Sequence, residues 1–146
     1  MARKPAFQHG IRRGQISDWP AGVPAPAEIA RRVHYTGSTL HKTYESPAGP
    51  PAIRKDKARC DQYDPRDWPQ LTRALQEAVR SGCVSGFRGE FPFRAWAWIN
   101  GVLHEARLTN EGTGEYHGFP INDPRQYPEP RSRLEEAAPR VQIPRP

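Results

Sequence analysis

The stretch FRAWAWINGVLHEARL, residues 93–108, contains two alternating segments joined by Asn100-Gly101. This dipeptide is a strong hairpin signal, because a type I′ turn needs positive φ at both central positions. The turn also fixes which residues oppose each other across the hairpin. One face, nearly all apolar, pairs Ile99 with Val102, Ala97 with His104, Ala95 with Ala106 and Phe93 with Leu108. The other face pairs Trp98 with Leu103, Trp96 with Glu105 and Arg94 with Arg107.

A helix is predicted just before the hairpin, at about residues 68–81. Asp67 can cap its start, and Pro69 fits its first turn. Gly82 stands where a helix commonly ends in a left-handed residue. The apolar residues that recur at helical spacing are Leu71, Leu75, Ala78 and Val79, with Trp68 at the start. We expect this apolar stripe to pack on the apolar face of the hairpin.

These elements predict an α+β fold, with one or more N-terminal helices on one face of a three- to four-stranded antiparallel β-meander. A further strand is expected at 115–121, and short helices are expected at 26–34 and 132–138. Proline accounts for 17 of the 146 residues, which favours irregular structure outside these elements. We therefore expect a flexible basic arm at 1–24, a single domain at 25–122 and a flexible proline-rich tail at 123–146.

The positive charge is concentrated before the predicted helix. The chain has a net charge of +6, and residues 31–60 carry seven cations against two acids, a net charge of +5. Such clustering suits a polyanion such as nucleic acid, or else simply solubilises the segment. The candidate phosphate contacts in this segment are His41, Lys42, Arg54, Lys55 and Lys57. Solvated loop charges are the alternative interpretation of these five residues.

The cysteine content indicates a reducing, cytoplasmic setting, or else export by a route that leaves no N-terminal signal. Only Cys60 and Cys83 occur, no apolar leader is recognisable, and no apolar run approaches the ~20 residues of a membrane helix. Two isolated cysteines do not make a zinc site. We expect neither a metal nor a cofactor, and no membrane partner.

The chemistry is expected on the face that opposes Arg94 to Arg107. Like charges directly opposite each other are destabilising, unless an anion lies between them. Glu105 shares their face and is one candidate for that anion; a bound phosphate is another. Trp96 and Trp98 share the face as well, either as a second small core or as a platform for stacking bases.

The third predicted strand supplies either Tyr116 or His117 to this site, because adjacent residues point to opposite faces. Phe119 and Ile121 are expected to point to the core that packs on the helix, which places His117 with them and favours Tyr116 as the residue that joins the arginines. A bulge at the neighbouring glycines would reverse this arrangement. His104 falls on the apolar face and is expected to be a buried, hydrogen-bonded histidine.

Arginines beside a glutamate and a tyrosine or histidine suit RNA cleavage by general acid/base transfer. Glu105 or His117 would be the base, Tyr116 or His117 the acid, and Arg94 and Arg107 would stabilise the phosphorane. We therefore expect a metal-independent endoribonuclease. The alternatives are a nucleic-acid-binding module without catalysis and a phage or host accessory factor that docks on another protein.

The order of these elements resembles the small bacterial ribonucleases and ribonuclease toxins of the barnase, colicin and RelE-like group. The resemblance rests on Ser85-Gly86-Phe87-Arg88, followed by an arginine before a hairpin and a histidine in a later strand. It implies that Arg88 and Arg94 bind phosphate, that His117 matches the histidine of the His-Tyr pair in a later strand, and that a cognate acidic immunity or antitoxin protein exists. The chain departs from the barnase pattern at residues 116–117, which run Tyr-His rather than His-Tyr.

Overall fold

The fold is organised around the predicted hairpin, in a computed structural model that describes residues 14–36 and 65–144. Strand β4 (Arg94–Ile99) pairs with β5 (Val102–Asn110) in the expected antiparallel register. Asn100 and Gly101 have φ values of 52° and 82°, as the type I′ turn requires. The hairpin and its register are therefore confirmed.

The main sheet has five strands in the order β1-β6-β5-β4-β7. Strand β6 (Glu115–Pro120) continues the antiparallel meander beside β5. The outer strands β1 (His34–Tyr35) and β7 (Arg140–Val141) pair in parallel with β6 and β4. A separate small sheet joins β2 (Phe87–Arg88) to β3 (Phe91–Pro92).

The α+β class is confirmed, but the expected three- to four-stranded antiparallel meander is wrong. The sheet is mixed, because each neighbouring chain segment adds a parallel strand at one edge. Those strands are two residues long, too short to carry an alternating pattern that a sequence could reveal. Their pairing depends on how the flanking segments pack.

Three α-helices accompany the sheet in the described residues: α1 (Pro26–Ala30), α2 (Trp68–Arg80) and α3 (Arg131–Ala137). Helix α2 matches the predicted helix, and Gly82 follows it with a φ of 80°. Within the described chain, Asp67 makes no side-chain capping bond to α2, contrary to expectation. Its backbone is helical because a 3-10 turn, Pro65–Asp67, leads directly into α2.

The sheet separates two apolar cores. The helix-side core lies between the sheet and helices α1 and α2, and its sheet members include Ala95, Ala97 and Ile99. The far-side core lies on the opposite face of the sheet. Its buried members are Ile16, Cys83, Trp96, Leu103, Phe119, Ile121 and Leu134. Segments from both ends of the described chain thus cover the second face.

The folded unit extends beyond the expected 25–122 domain at both ends. Ile16 is 2% exposed and donates its backbone N–H to Glu129. Leu134 and Ile143 are also buried, and Asn100 exchanges two hydrogen bonds with the backbone of Ile143. Residues 14–24 and 123–144 are therefore packed parts of the fold rather than a free arm and tail.

Candidate functional site

Three cationic or titratable side chains stand in one row across the central strands. Arg94 on β4 is directly opposite Arg107 on β5, which in turn is directly opposite His117 on β6. Neighbouring strands are ~4.8 Å apart, so the whole row spans ~10 Å of backbone. We call Arg94, Arg107 and His117 the cationic row. The next row along the strands is Trp96, Glu105 and Phe119.

Glu105 is the counterion that makes the opposed arginines tolerable. Its side chain is 0% exposed, and its Oε2 accepts a 2.6 Å hydrogen bond from Arg107 Nε. Arg94 Nε lies 3.8 Å from the same oxygen. Trp96 Nε1 donates to the other oxygen, Oε1, at 3.0 Å. One buried carboxylate therefore holds two guanidinium groups, which leaves this trio with a net charge of +1.

The two arginines remain partly accessible above this carboxylate. Their side chains are 15% (Arg94) and 25% (Arg107) exposed. Arg107 Cζ also lies 5.1 Å from the centre of the Phe119 ring, which supports the guanidinium from below. A guanidinium held by a carboxylate and an aromatic ring is already oriented before a ligand arrives. Such preorganisation reduces the ordering cost of binding an anion.

The expected placement of Tyr116 beside the arginines is wrong. Tyr116 lies opposite Leu108 in the helix-side core, fully buried, and its hydroxyl donates to the Pro92 carbonyl. Burial raises the pKa of this hydroxyl well above its usual value. Phe119 points to a core, as expected. That core is the far-side core, however, which lies on the same face of the sheet as the arginines.

His117 occupies the position expected for one of the two strand residues. It is partly exposed, and its Nδ1 lies 2.8 Å from Thr109 Oγ1. A hydroxyl can either donate to or accept from an imidazole nitrogen, so Thr109 is compatible with both neutral tautomers of His117. The alternation of β6 alone, without a bulge at Gly118, brings His117 to Arg107.

The tryptophans of this face are core residues. Trp96 is 1% exposed, and Trp98 is partly buried between Tyr127 and Arg140. The core interpretation is therefore confirmed over the stacking platform. On the opposite face His104 is 8% exposed, and its Nδ1 lies 2.9 Å from the Val102 carbonyl, so it is buried as expected and hydrogen-bonded through one ring nitrogen.

Arg88 lies on β2, near the Arg94 end of the cationic row. Its Cζ is 3.8 Å from the centre of the Phe93 ring, and Arg94 Cζ is 5.6 Å from the same ring. Arg88 and Arg94 line a common open groove. The sequence placed Phe93 only in the helix-side core; its contact with two guanidiniums depends on the β2–β3 turn and has no sequence signal.

Comparison of the chain with protein-family models, curated proteins and solved structures gives no match. The barnase-like resemblance thus remains a prediction that rests on the residues quoted for it. The other predicted contacts, His41, Lys42, Arg54, Lys55 and Lys57, lie outside the described residues.

Two structural features are absent from residues 14–36 and 65–144. In this part of the chain no group of three His, Cys, Asp or Glu side chains is arranged to hold a metal ion. Within the same residues no helix combines the length and apolar character needed to cross a membrane.

Proposed function

We propose that this protein binds the phosphate backbone of RNA through the cationic row. The observation that carries the proposal is the pair of opposed arginines held over one fully buried carboxylate, Glu105. Guanidinium groups match phosphate oxygens in geometry and keep their charge at all physiological pH values. Because Glu105 balances only one of the two arginine charges, an anion above the row adds favourable electrostatics.

The overall charge supports the same function. The net charge of +6 attracts a polyanion from a distance, and the row offers a defined place for it to dock. Affinity should then fall steeply with salt, because each phosphate contact in a single strand releases ~0.7 of a counterion. We place this activity in the cytoplasm, where the free thiol of Cys83 stays reduced.

Metal-independent RNA cleavage is the second candidate, favoured by the position of Arg107 between Glu105 and His117. Either Glu105 or His117 would take the proton of the ribose 2′-hydroxyl, whose oxygen attacks the phosphorus. The other of these two residues would protonate the departing 5′-oxygen, which leaves a 2′,3′-cyclic phosphate. An acidic immunity or antitoxin protein over the cationic row would block such an enzyme.

The environment of Glu105 favours binding over cleavage. Both of its oxygens are engaged and its side chain is fully buried, which suits a counterion better than a base. To act as a base it would have to release Arg107 when a phosphate draws that guanidinium outward. Binding therefore requires only the resting arrangement, whereas cleavage requires Glu105 or a second group to exchange partners.

The test combines binding and cleavage in one sample. Fluorescently labelled single-stranded RNA is titrated with protein in EDTA at several salt concentrations, and the same samples are run on a denaturing gel. The variants are Glu105→Gln and Arg94→Gln, with Arg73→Gln as a control of equal charge change on the exposed face of α2. Circular dichroism checks that each variant is folded.

Binding predicts a distinct result for each variant. Glu105→Gln should bind RNA more tightly, since it removes the charge that competes with phosphate for the arginines. Arg94→Gln should weaken binding and lower the salt slope, and Arg73→Gln should do neither. If the wild type cleaves and Glu105→Gln binds without cleaving, the enzyme is the correct candidate. A wild type that binds no RNA at low salt contradicts both.

A further inference from the structure

A groove continues the cationic row beyond Arg94. It is an open groove of about 430 Å³ between the segment 14–17 on one side and β2 on the other. Arg88, Phe93 and Arg94 line it together with Ser85 and Phe87. We call this the Arg88 groove. The groove is open to solvent along its length, and its volume leaves room for one nucleotide of an extended strand.

On one wall of this groove the backbone at Gly14 lies very close to the side chains of Trp96 and Arg94. A Cβ on Gly14 would stand 2.3 Å from Trp96 Cζ2 and 3.1 Å from Arg94 Nη1, so only glycine lets the segment lie there. Ile16 fixes the same segment by its burial in the far-side core. On the opposite wall the edge of Phe87 packs against Trp19, with 5.0 Å between ring centres.

Arg88 presents a flat cationic surface to solvent. The residue is exposed, and its guanidinium carbon lies 3.8 Å above the Phe93 ring, so one face of the group is supported. Nucleobases stack on arginine guanidinium planes as well as on aromatic rings. A basic groove that also carries a stacking surface is the combination found in proteins that bind single-stranded nucleic acid.

We propose that the Arg88 groove binds the nucleotide next to the phosphate held by the cationic row, with its base stacked on Arg88. The proposal rests on the proposed function, because Arg94 belongs to both the row and the groove. It specifies the ligand as single-stranded nucleic acid: in a duplex each base is stacked between its neighbours and cannot lie on Arg88.

The test uses a labelled single-stranded 12-mer of uridine and a matched duplex, both titrated with full-length protein. The variants are Arg88→Ala, Arg88→Lys and Phe93→Leu, with Arg73→Ala as the charge-matched control. Arg88→Ala should lower affinity for the single strand about 5- to 100-fold, the range for loss of one stacked base. It should leave the salt slope nearly unchanged, because the proposed contact of Arg88 is to a base and not to a phosphate.

The other variants separate stacking from charge. Arg88→Lys should leave the salt slope unchanged and lower the affinity for the single strand nearly as much as Arg88→Ala. Lysine retains the charge but lacks the planar guanidinium on which a base can stack. Phe93→Leu should behave like Arg88→Lys, because it removes the support under the guanidinium. The wild type should bind the duplex more weakly than the single strand, and Arg88→Ala should not weaken duplex binding further.

The variants distinguish an error in the proposed role of the Arg88 groove from an error in the proposed binding at the cationic row. If Arg94→Gln weakens binding but Arg88→Ala and Arg88→Lys leave it unchanged, the row stands and the groove proposal is overturned. Equal affinity for the duplex overturns it as well. Polyglutamate that displaces the 12-mer at equal charge concentration would show that the groove accepts an acidic protein, and would also overturn the proposal.

Discussion

Replacing Arg107 by methionine should destabilise the protein strongly, although Arg107 faces a like charge. Opposed arginines alone would make the removal of one of them favourable. Arg107, however, makes the 2.6 Å bond to the fully buried Glu105. Without that bond the carboxylate keeps Trp96 and an arginine 3.8 Å away. The counterion therefore reverses the expected sign.

The size of the effect follows from the burial of the pair. Removing one partner of a buried ion pair costs ~3–5 kcal/mol, and the lower end applies because Arg94 remains nearby. For a chain of this size ~3 kcal/mol corresponds to a fall in Tm of roughly 6–12 °C. Methionine retains much of the packing on Phe119, so the loss reports mainly the charge and the hydrogen bond.

The assay is thermal and urea unfolding of Arg107→Met, Glu105→Gln and the double variant. In the double variant the buried carboxylate is neutral, so it should be more stable than Arg107→Met alone, with a coupling energy of ~1–3 kcal/mol. Arg31→Met is the control, since the Arg31 side chain is 72% exposed directly after α1. A loss below ~0.5 kcal/mol for Arg107→Met, or strict additivity in the double variant, would refute the counterion account.

Three other predictions follow from the two cores. Tyr116→Phe should lower the free energy of unfolding in urea by ~1 kcal/mol, because the hydrogen bond to Pro92 is lost, and should leave RNA binding and cleavage unchanged. A slower cleavage rate would contradict this and show that the hydroxyl takes part in the reaction. Burial raises the pKa of Cys83 from 9.0 to about 12, so its contribution to stability is complete below pH 9 and is lost as pH rises toward 12. In a Cys60→Ser background, Cys83→Ala should flatten the stability profile over that window; an unchanged profile would contradict the assignment. Leu134→Ala should cost ~2–5 kcal/mol, because the side chain is 0% exposed in the far-side core; a change under 0.5 kcal/mol would mean that α3 contributes little to folding.

The parts of the fold with strong local signals were predictable. Asn100-Gly101 fixed the register of six residue pairs, because a type I′ turn admits one alignment of the flanking strands. Helix α2 was equally clear from its apolar spacing and from Gly82 at its end. The opposition of Arg94 to Arg107, and the position of Glu105 beside them, followed from the same turn.

The parts that depend on distant packing were not predictable. Nothing local indicates that residues 14–17 and 131–137 cover the second face of the sheet, yet this decides where Phe119 points. That error placed Tyr116 in the site, because Phe119 and Ile121 were assigned to the helix-side core and lie instead in the far-side core. The parallel strands β1 and β7 could not be predicted either, because the strands with which they pair are far away in the chain.

The most direct test of the central claim observes the cationic row itself. Proton–nitrogen NMR spectra resolve arginine Nε–H groups, and the signals of Arg94 and Arg107 are assigned from Arg94→Lys and Arg107→Lys. A short single-stranded RNA is then added in EDTA at low salt. We predict that both signals shift saturably and return when salt is raised, while the Arg73 signal stays in place. Saturable RNA binding that leaves the Arg94 and Arg107 signals unmoved would contradict the account, and so would the absence of any binding.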